Sequence, residues 1–216
     1  MTPQDFLFQL TQNVDRFEKV AGFLSVPGYL SWQEGFTLLS LAEVWPGAGD
    51  IVEIGSFKGR STCFLAQGAL RSGRGRVHAI DHFQGSPEHQ LGGHEETPEI
   101  VASGSTYEQF QANLAAFGLG EVVLATVSNS QAAAASWAGA VRMIFIDGDH
   151  SYQGTKGDFE AWFSHVAETG LICFHDYQNS HYLDGVTKFI DEEISAHPNM
   201  LFLHRAGSLM TYMKTA

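Results

Sequence analysis

Residues 51–62 read Ile-Val-Glu-Ile-Gly-Ser-Phe-Lys-Gly-Arg-Ser-Thr, which predicts an apolar strand that turns into a helix. The strand carries one acid, Glu53, and the turn runs from Gly55 to Gly59. A turn of this kind points backbone N–H groups at a ligand. The glycines are spaced G-x-x-x-G, and Phe57 stands where a dinucleotide fingerprint needs its second glycine. The pattern therefore favours a cofactor with a positive amine and no phosphate.

On both sides of this stretch the chain is predicted to alternate strand and helix. Predicted strands span residues 51–54, 76–81, 121–126, 142–147, 170–175, 200–205 and 208–214. Predicted helices span residues 5–23, 31–42, 60–71, 107–117, 130–136, 154–167 and 184–196. A capping box at residues 31–34 begins the second helix. This order predicts an α/β, Rossmann-like fold: a seven-stranded mixed sheet with helices on both faces, closed by an antiparallel hairpin that turns at Ala206-Gly207.

The composition predicts one domain over residues 1–216. Hydrophobic residues make up 44% of the chain and charged residues 17%, which is ordinary for a globular protein. The formal net charge of -12 disfavours nucleic-acid and anionic-membrane partners, because neutralising phosphate needs lysine and arginine.

Three features bear on cellular location. Cys63 and Cys173 lie in apolar segments, which predicts buried free thiols and a reducing, cytoplasmic setting. The first residues have no basic region, so we expect no signal peptide. Residues 122–141 are uncharged, but polar residues at 128–131 interrupt the run, so a strand, a loop and an Ala-rich helix fit better than a membrane span.

The glycine loop resembles the E-x-G-x-x-x-G loop of class I S-adenosylmethionine-dependent methyltransferases. Glu53 then pairs either with the amine of the cofactor or with a backbone network, since an unpartnered buried carboxylate is costly. Asp81 ends the second strand, where an acid suits both ribose hydroxyls, and its alternatives are a helix cap or a solvated loop acid. Ser128 and Asn129, after the third strand, either face the adenine ring or are ordinary turn residues.

Polar residues also cluster where the fourth and fifth predicted strands end. Asp147, Asp149 and His150 follow the fourth strand, and His175 and Asp176 end the fifth. Like charges held together raise each other's pKa unless a cation is bound. The pattern predicts a divalent-metal or proton-transfer site, and the alternative is that these acids cap the following helices. Each histidine is a candidate ligand, base or packed polar residue.

The stretch D-G-D-H-S-Y at 147–152, with H-D-Y at 175–177, resembles the methyltransferase 24 family over about residues 30–195. That family is similar to metal-dependent O-methyltransferases of the catechol type. There, an acid after strand four and an Asp-Asn pair after strand five hold magnesium. By position the resemblance implies Asp147 and Asp176 as ligands here, with Tyr177 in the place of the Asn. The third ligand is then one of Asp149, His150, His175 and water.

These arguments define the predicted site. The predicted cofactor-binding residues are Glu53, Gly55, Ser56, Phe57, Gly59, Ser61, Asp81, His82, Ser128 and Asp147. The predicted metal ligands are Asp147, Asp149 and Asp176, and the predicted catalytic bases are His150 and His175. Residues 1–46 are expected to shape the acceptor site. The polar loop 82–106, with three histidines, either folds over the cofactor or substrate or is a solvated loop.

Together the sequence predicts an S-adenosylmethionine-dependent O-methyltransferase that acts on a small-molecule hydroxyl, either sugar or phenolic. A divalent metal, magnesium or manganese, is expected to assist, and a homo-oligomer is an open alternative to a monomer. Two other classes stay open: an iron-dependent oxygenase on the same fold, and a non-catalytic binding module that retains the cofactor fold. A dehydrogenase that uses NAD is disfavoured by Phe57.

Overall fold

Seven strands form one sheet in a computed structural model that describes residues 18–86, 89–179 and 184–216. The strands are β1 Asp50–Ile54, β2 Val77–Asp81, β3 Val123–Val127, β4 Val141–Ile146, β5 Val166–Phe174, β6 Met200–Ala206 and β7 Leu209–Lys214. They lie in the order β3-β2-β1-β4-β5-β7-β6.

The first five strands run parallel, and β7 runs antiparallel to both β5 and β6. Ile54 at the end of β1 pairs with Ile80 on one side and with Ile146 on the other. Ile146 in turn pairs with Phe174, the last residue of β5. The carboxyl ends of these strands therefore meet at one edge, and the predicted fold class is confirmed.

Helices cover both faces of this sheet. They are α1 Trp32–Val44, α2 Arg60–Ser72, α3 Pro98–Ser103, α4 Tyr107–Ala116, α5 Ser130–Ala135, α6 Tyr152–Phe163 and α7 Gly185–Phe189. A 3₁₀ turn, Gly22–Ser25, precedes α1, and a π-helical turn, Ile190–Ile194, continues α7. Within the described ranges, no helix has both the length and the apolar character needed to cross a bilayer.

Alternating side chains of the strands divide the core into two parts. Phe145 points to the face covered by α1, α2 and α4, where it joins Leu38, Phe64 and Phe110. The neighbouring Ile144 points to the opposite face, which α5, α6 and α7 cover. Both layers are closed to solvent, so the sheet is buried on both sides and only its edges and strand ends can carry a site.

Several helix boundaries differ from the sequence prediction. Most of the predicted helix 5–23 lies outside the described residues, and residues 18–21 are helical. Helix α3 lies inside the segment predicted as a loop, with Pro98 at its start and Gly104 in the left-handed conformation at its end. Helix α6 begins and ends earlier than predicted, and β5 starts at Val166, because that buried valine pairs with Val141.

Helices α1 and α2 approach closely through glycines. A Cβ on Gly68 would lie 2.5 Å from the backbone oxygen of Leu39 and 2.6 Å from the Cβ of Ala42. Separations below about 3 Å do not occur between such atoms in folded proteins. The contact therefore fixes the distance between the two helices, and α2 begins directly at the glycine loop.

Replacement of Gly68 by valine should force these helices apart. We expect Gly68→Val to lower the free energy of unfolding by about 3 kcal/mol, the upper end of overpacking costs, measured by urea denaturation. Gly120→Val is the matched control, because no described atom lies within 4 Å of a Cβ there, and it should change stability by less than about 0.5 kcal/mol. Equal stability of the two variants would contradict the packing account.

Candidate functional site

A cavity of about 730 Å³ opens at the carboxyl edge of the sheet, within the size range of small-molecule sites. Loops after all five parallel strands contribute to its wall. The predicted site residues in the wall are Gly55, Ser56, Phe57, Ser61, Asp81, His82, Ser128, Asp147, Asp149, His150, His175 and Asp176. Two predicted cofactor residues, Glu53 and Gly59, are absent from this wall as the described residues form it.

The glycine loop is held in a conformation that side chains rarely adopt. Gly55 has a φ of 83°, and a Cβ there would overlap the backbone carbonyl of Asp147. Gly59 has a φ of 91° and lies against the ring of Phe110, 3.1 Å from where a Cβ would stand. Gly59 therefore serves the packing of α2 against Phe110, and its predicted contact with the cofactor stays a prediction. Phe57, between them, has a φ of 48°, a strained conformation that occurs preferentially at functional sites.

Asp81 joins the loop after β1 to the loop after β2. Its Oδ2 accepts the backbone N–H groups of Ser56 and Phe57, each at 2.8 Å, and its Oδ1 accepts the N–H of Phe83 at 2.6 Å. The expectation that the loop N–H groups point at a ligand is therefore wrong for these two residues. Asp81 still lines the cavity, and carboxylate oxygens have further lone pairs for ligand hydroxyls.

Glu53 lies behind the glycine loop. The side chain is fully buried, and its Oε2 accepts hydrogen bonds from the hydroxyls of Ser56 and Thr62. Its Oε1 has no hydrogen-bond partner among the described residues. Burial raises the pKa of this carboxyl to about 7. Glu53 thus supports the loop from within the core. The sequence had left it a choice between a ligand amine and a backbone network.

Segments distant in sequence complete the wall. Residues 27–30 line the cavity, and Arg60 holds this segment by donating to the carbonyls of Val26 and Leu30 at 2.6 and 2.9 Å. That residues 1–46 shape the acceptor site stays a prediction, since residues 1–17 lie outside the described ranges. Part of the loop 82–106 also lines the cavity, and Lys58 pairs with Glu99 of α3 at 2.7 Å. Arg60 was not among the predicted site residues, although it lies within the stretch 51–62.

A compact acidic cluster lies at the ends of β4 and β5. Among the described residues, Asp147, His175 and Asp176 have potential ligand atoms that all lie within 4.8 Å of one another. The Nδ1 atom of His175 is 3.1 Å from Asp147 Oδ1 and 3.3 Å from Asp176 Oδ1. His150 Nε2 lies 3.1 Å from Asp176 Oδ2. Asp176 has a φ of 61°, so the backbone is strained where the side chains converge.

The electrostatics of this cluster favour positive charge at its centre. Burial raises the pKa of Asp147, although the charge of His175 works against that rise. Burial also opposes ionisation of Asp176, but hydrogen bonds from His150 and His175 outweigh it and hold the pKa of that carboxyl well below its usual range. Burial disfavours the charged form of His175, yet the acids around it raise its pKa well above the usual value. The Asp176 carboxylate is thus held ionised by its histidine neighbours, whereas burial keeps the pKa of Asp147 raised.

Asp149, predicted as a metal ligand, lies outside the compact cluster that the described residues form. Its Oδ1 accepts the N–H of Ser151 at 2.8 Å, and Ser151 is the N-cap of α6. An aspartate two residues before its donor forms an Asx turn, which orients the side chain toward its own backbone. Tyr177 also lies elsewhere, because its hydroxyl bonds Asp191 at 2.9 Å. Of the candidates for a third ligand, His175 is the one that lies together with Asp147 and Asp176 among the described residues.

The donor set fits a divalent cation. Two carboxylates and one imidazole converge, with His175 and Asp176 buried and Asp147 partly exposed, and such mixed oxygen and nitrogen ligands suit manganese, iron, cobalt or zinc. Carboxylates alone would also accept magnesium.

Comparison with known proteins identifies the family. Residues 52–177 match the methyltransferase 24 family, which is described as a methyltransferase domain. The chain belongs to this family. The matched range includes the glycine loop, Asp81 and the acidic cluster, so the predicted resemblance is confirmed on the residues that carried it.

Individual relatives are more distant. The uncharacterized protein y4gI of Sinorhizobium fredii is 25% identical over 163 residues, which make up 75% of this chain and 17% of that protein. The chain spans 17% and 18% of the length of the curated relatives that it matches.

Solved structures share the fold. Rv0187 from MTB, solved with a bound cofactor, has a TM-score of 0.67 and 18% identity, covering 92% of this chain and 89% of that chain. The O-methyltransferase from Bacillus cereus, solved in complex with SAH, has a TM-score of 0.63 and 21% identity and covers 91% of each chain. At these identities the likeness is one of fold, and it agrees with the observed strand order.

The buried Glu53 predicts a specific pH dependence. Its pKa is about 7 in the folded chain against 4.5 as the ordinary value, so folding disfavours its charged form. The free-energy cost of folding with an ionised Glu53 is absent below about pH 4.5. It grows as the pH rises and reaches its full value above about pH 7. Glu53→Gln should therefore gain about 3 kcal/mol relative to the wild type between pH 4.5 and 7.5, measured by urea denaturation. A stability difference that does not change with pH would contradict this account.

Proposed function

We propose that this chain transfers a methyl group from S-adenosylmethionine to a hydroxyl oxygen of a small molecule, with a divalent cation held by Asp147, His175 and Asp176. The observation that carries the proposal is that one cavity contains both the glycine loop with Asp81 and the acidic cluster. The family assignment supports the transfer chemistry. The cation and the class of acceptor rest on the residues of the cavity.

The cofactor end of the cavity is assigned from its polar groups. Asp81 accepts the ribose hydroxyls with the lone pairs that Ser56, Phe57 and Phe83 leave unused. Ser128 lines the wall at the end of β3, on the side where the adenine would lie. Since Asp81 already fixes both loops, the site is formed before the ligand arrives, and little binding energy is lost in ordering it.

The cofactor and the cation would supply one part of the chemistry, and the residues of the chain supply the other. S-Adenosylmethionine supplies an electrophilic methyl group, and a bound divalent cation lowers the pKa of an acceptor hydroxyl. Asp147, His175 and Asp176 hold the cation, and the cavity wall orients the acceptor in line with the methyl group.

His150 is the better candidate for the base. Its side chain is 19% exposed and lines the cavity, whereas that of His175 is 4% exposed and lies between two acids. Its Nε2 atom pairs with Asp176, which stabilises the imidazolium formed when His150 takes a proton from the acceptor. His175 is thereby assigned to the cation site, and the two histidines have separate roles.

Aromatic rings also line the cavity. Phe57 and His89 are stacked with centroids 5.2 Å apart, and Tyr29 lies 6.1 Å from Phe57. A flat phenolic acceptor or the apolar face of a sugar would pack against such a wall. An acceptor with two neighbouring oxygens fits best, because both can bind a cation held by the cluster.

Cofactor binding can be tested without an acceptor. S-Adenosylhomocysteine should raise the Tm of the chain, because a ligand that binds only the native state stabilises it by about 2.7 kcal/mol at 100 times its Kd. Asp81→Asn keeps one oxygen for the loop N–H groups but loses an acceptor for ribose, so its Kd should rise at least about tenfold. Glu121→Gln, at an exposed acid, is the control. Stabilisation by NAD but not by S-adenosylhomocysteine would overturn the cofactor assignment.

The role of the cation is tested by removing it. With catechol as the probe acceptor, exhaustive chelation should abolish methyl transfer, and Mn²⁺ should restore it. Asp176→Asn should lower kcat by at least about a hundredfold while the Kd for S-adenosylhomocysteine changes less than about threefold, because Asp176 acts on the acceptor. Full turnover by the chelated enzyme would exclude the cation. Oxygen consumption with iron would favour the oxygenase alternative, and cofactor binding without turnover on any acceptor would favour the binding module.

A further inference from the structure

Glu34 is a buried acid that stands directly behind the acidic cluster. Only 4% of the residue is exposed, and its Oε2 lies 3.5 Å from His175 Nε2. From the sequence it is part of a helix-capping box, and the structure confirms that Oε2 accepts the N–H of Ser31 at 2.8 Å. A cap alone does not require burial of a carboxylate, because most helix starts are solvated.

The turn between β6 and β7 fixes the other oxygen of Glu34. Its Oε1 accepts both the N–H and the hydroxyl of Ser208 at 2.8 Å. Gly207 permits this approach: it has a φ of 60°, and a Cβ there would lie 2.6 Å from Glu34 Oε1. Three donors from two elements thus hold the carboxylate in one orientation, with Oε2 directed at the imidazole.

The imidazole of His175 has a different neighbour at each nitrogen. Nδ1 faces Asp147 and Asp176 at 3.1 and 3.3 Å, whereas Nε2 faces Glu34. A histidine that binds a metal generally donates its other ring N–H to a carboxylate, which fixes the tautomer and the ring orientation. Nε2 is buried with no hydrogen-bond partner among the described residues, and Glu34 is the carboxylate that lies nearest to it, at 3.5 Å.

We infer that Glu34 is a positioning residue that keeps the proton of His175 on Nε2, so that Nδ1 binds a first-row transition metal between Asp147 and Asp176. The inference rests on the proposed function, because it takes the cluster as a cation site. It adds a preference: an imidazole ligand favours manganese, cobalt or zinc over magnesium. The competing arrangement is an imidazolium surrounded by three carboxylates, with no metal.

Cobalt serves as the probe, because its paramagnetism shifts the signals of its ligands. The Co²⁺-loaded chain should show one hyperfine-shifted proton signal in H₂O that disappears in D₂O, from the Nε2–H of His175. The signal should be absent in His175→Asn. In Glu34→Gln it should broaden through faster exchange, and the Kd for Co²⁺, measured by titration, should rise about 10–100-fold. Ser208→Ala removes a partner of Glu34 but not its contact with His175, so its Kd should stay within about threefold of the wild type.

The outcomes separate this inference from the proposed function. An unchanged signal and Kd in a folded Glu34→Gln overturn the inference and leave the cation site standing. A wild-type chain that binds neither Co²⁺ nor Mn²⁺ overturns both the inference and the cation, and S-adenosylhomocysteine binding then decides the cofactor assignment. If Glu34→Gln does not fold by circular dichroism, Glu34→Asp replaces it. The aspartate side chain is one methylene shorter than that of glutamate. An unchanged exchange rate of the His175 Nε2 proton in Glu34→Asp also contradicts the inference.

Discussion

Three carboxylates around one buried imidazole are the constraint on which the rest of the site depends. Asp147, Asp176 and Glu34 all lie within 3.5 Å of a nitrogen of His175. Buried like charges repel strongly in a medium of low dielectric, so the arrangement is stable only with positive charge at its centre. The imidazolium of His175 or a bound divalent cation supplies that charge. Under the proposed function, a divalent cation held there would also bind the oxygen of an acceptor that must lose its proton.

The surrounding fold is built to bring these groups together. Gly55 allows the carbonyl of Asp147 to approach the glycine loop, and Gly207 allows the last hairpin to approach Glu34. Asp81 fixes the loop on the other side of the cavity through backbone N–H groups. The cofactor end and the acidic end are thereby parts of one rigid edge of the sheet. This matches the requirement that methyl transfer places on its catalyst, which is alignment of two reactants.

The fold was predictable because its signals are local. Strand and helix periodicity, the glycine loop and the acids after β4 and β5 lie in short stretches, and parallel pairing brings strand ends to one edge. Contacts between a side chain and its immediate surroundings were not predictable: Asp149 forms an Asx turn, Glu53 supports the loop from behind, and Gly59 packs against Phe110. The site role of Glu34 had no sequence signal, because its partner Ser208 lies 174 residues away.

A crystal structure of the chain grown with S-adenosylhomocysteine and Mn²⁺, with diffraction data collected at the manganese absorption edge, would show whether both ligands share this cavity. We expect an anomalous peak bounded by Asp147, His175 and Asp176, and ribose density on Asp81 in the same cavity. Density for S-adenosylhomocysteine outside this cavity would contradict the account. So would an occupied cofactor site with no anomalous peak at the three residues.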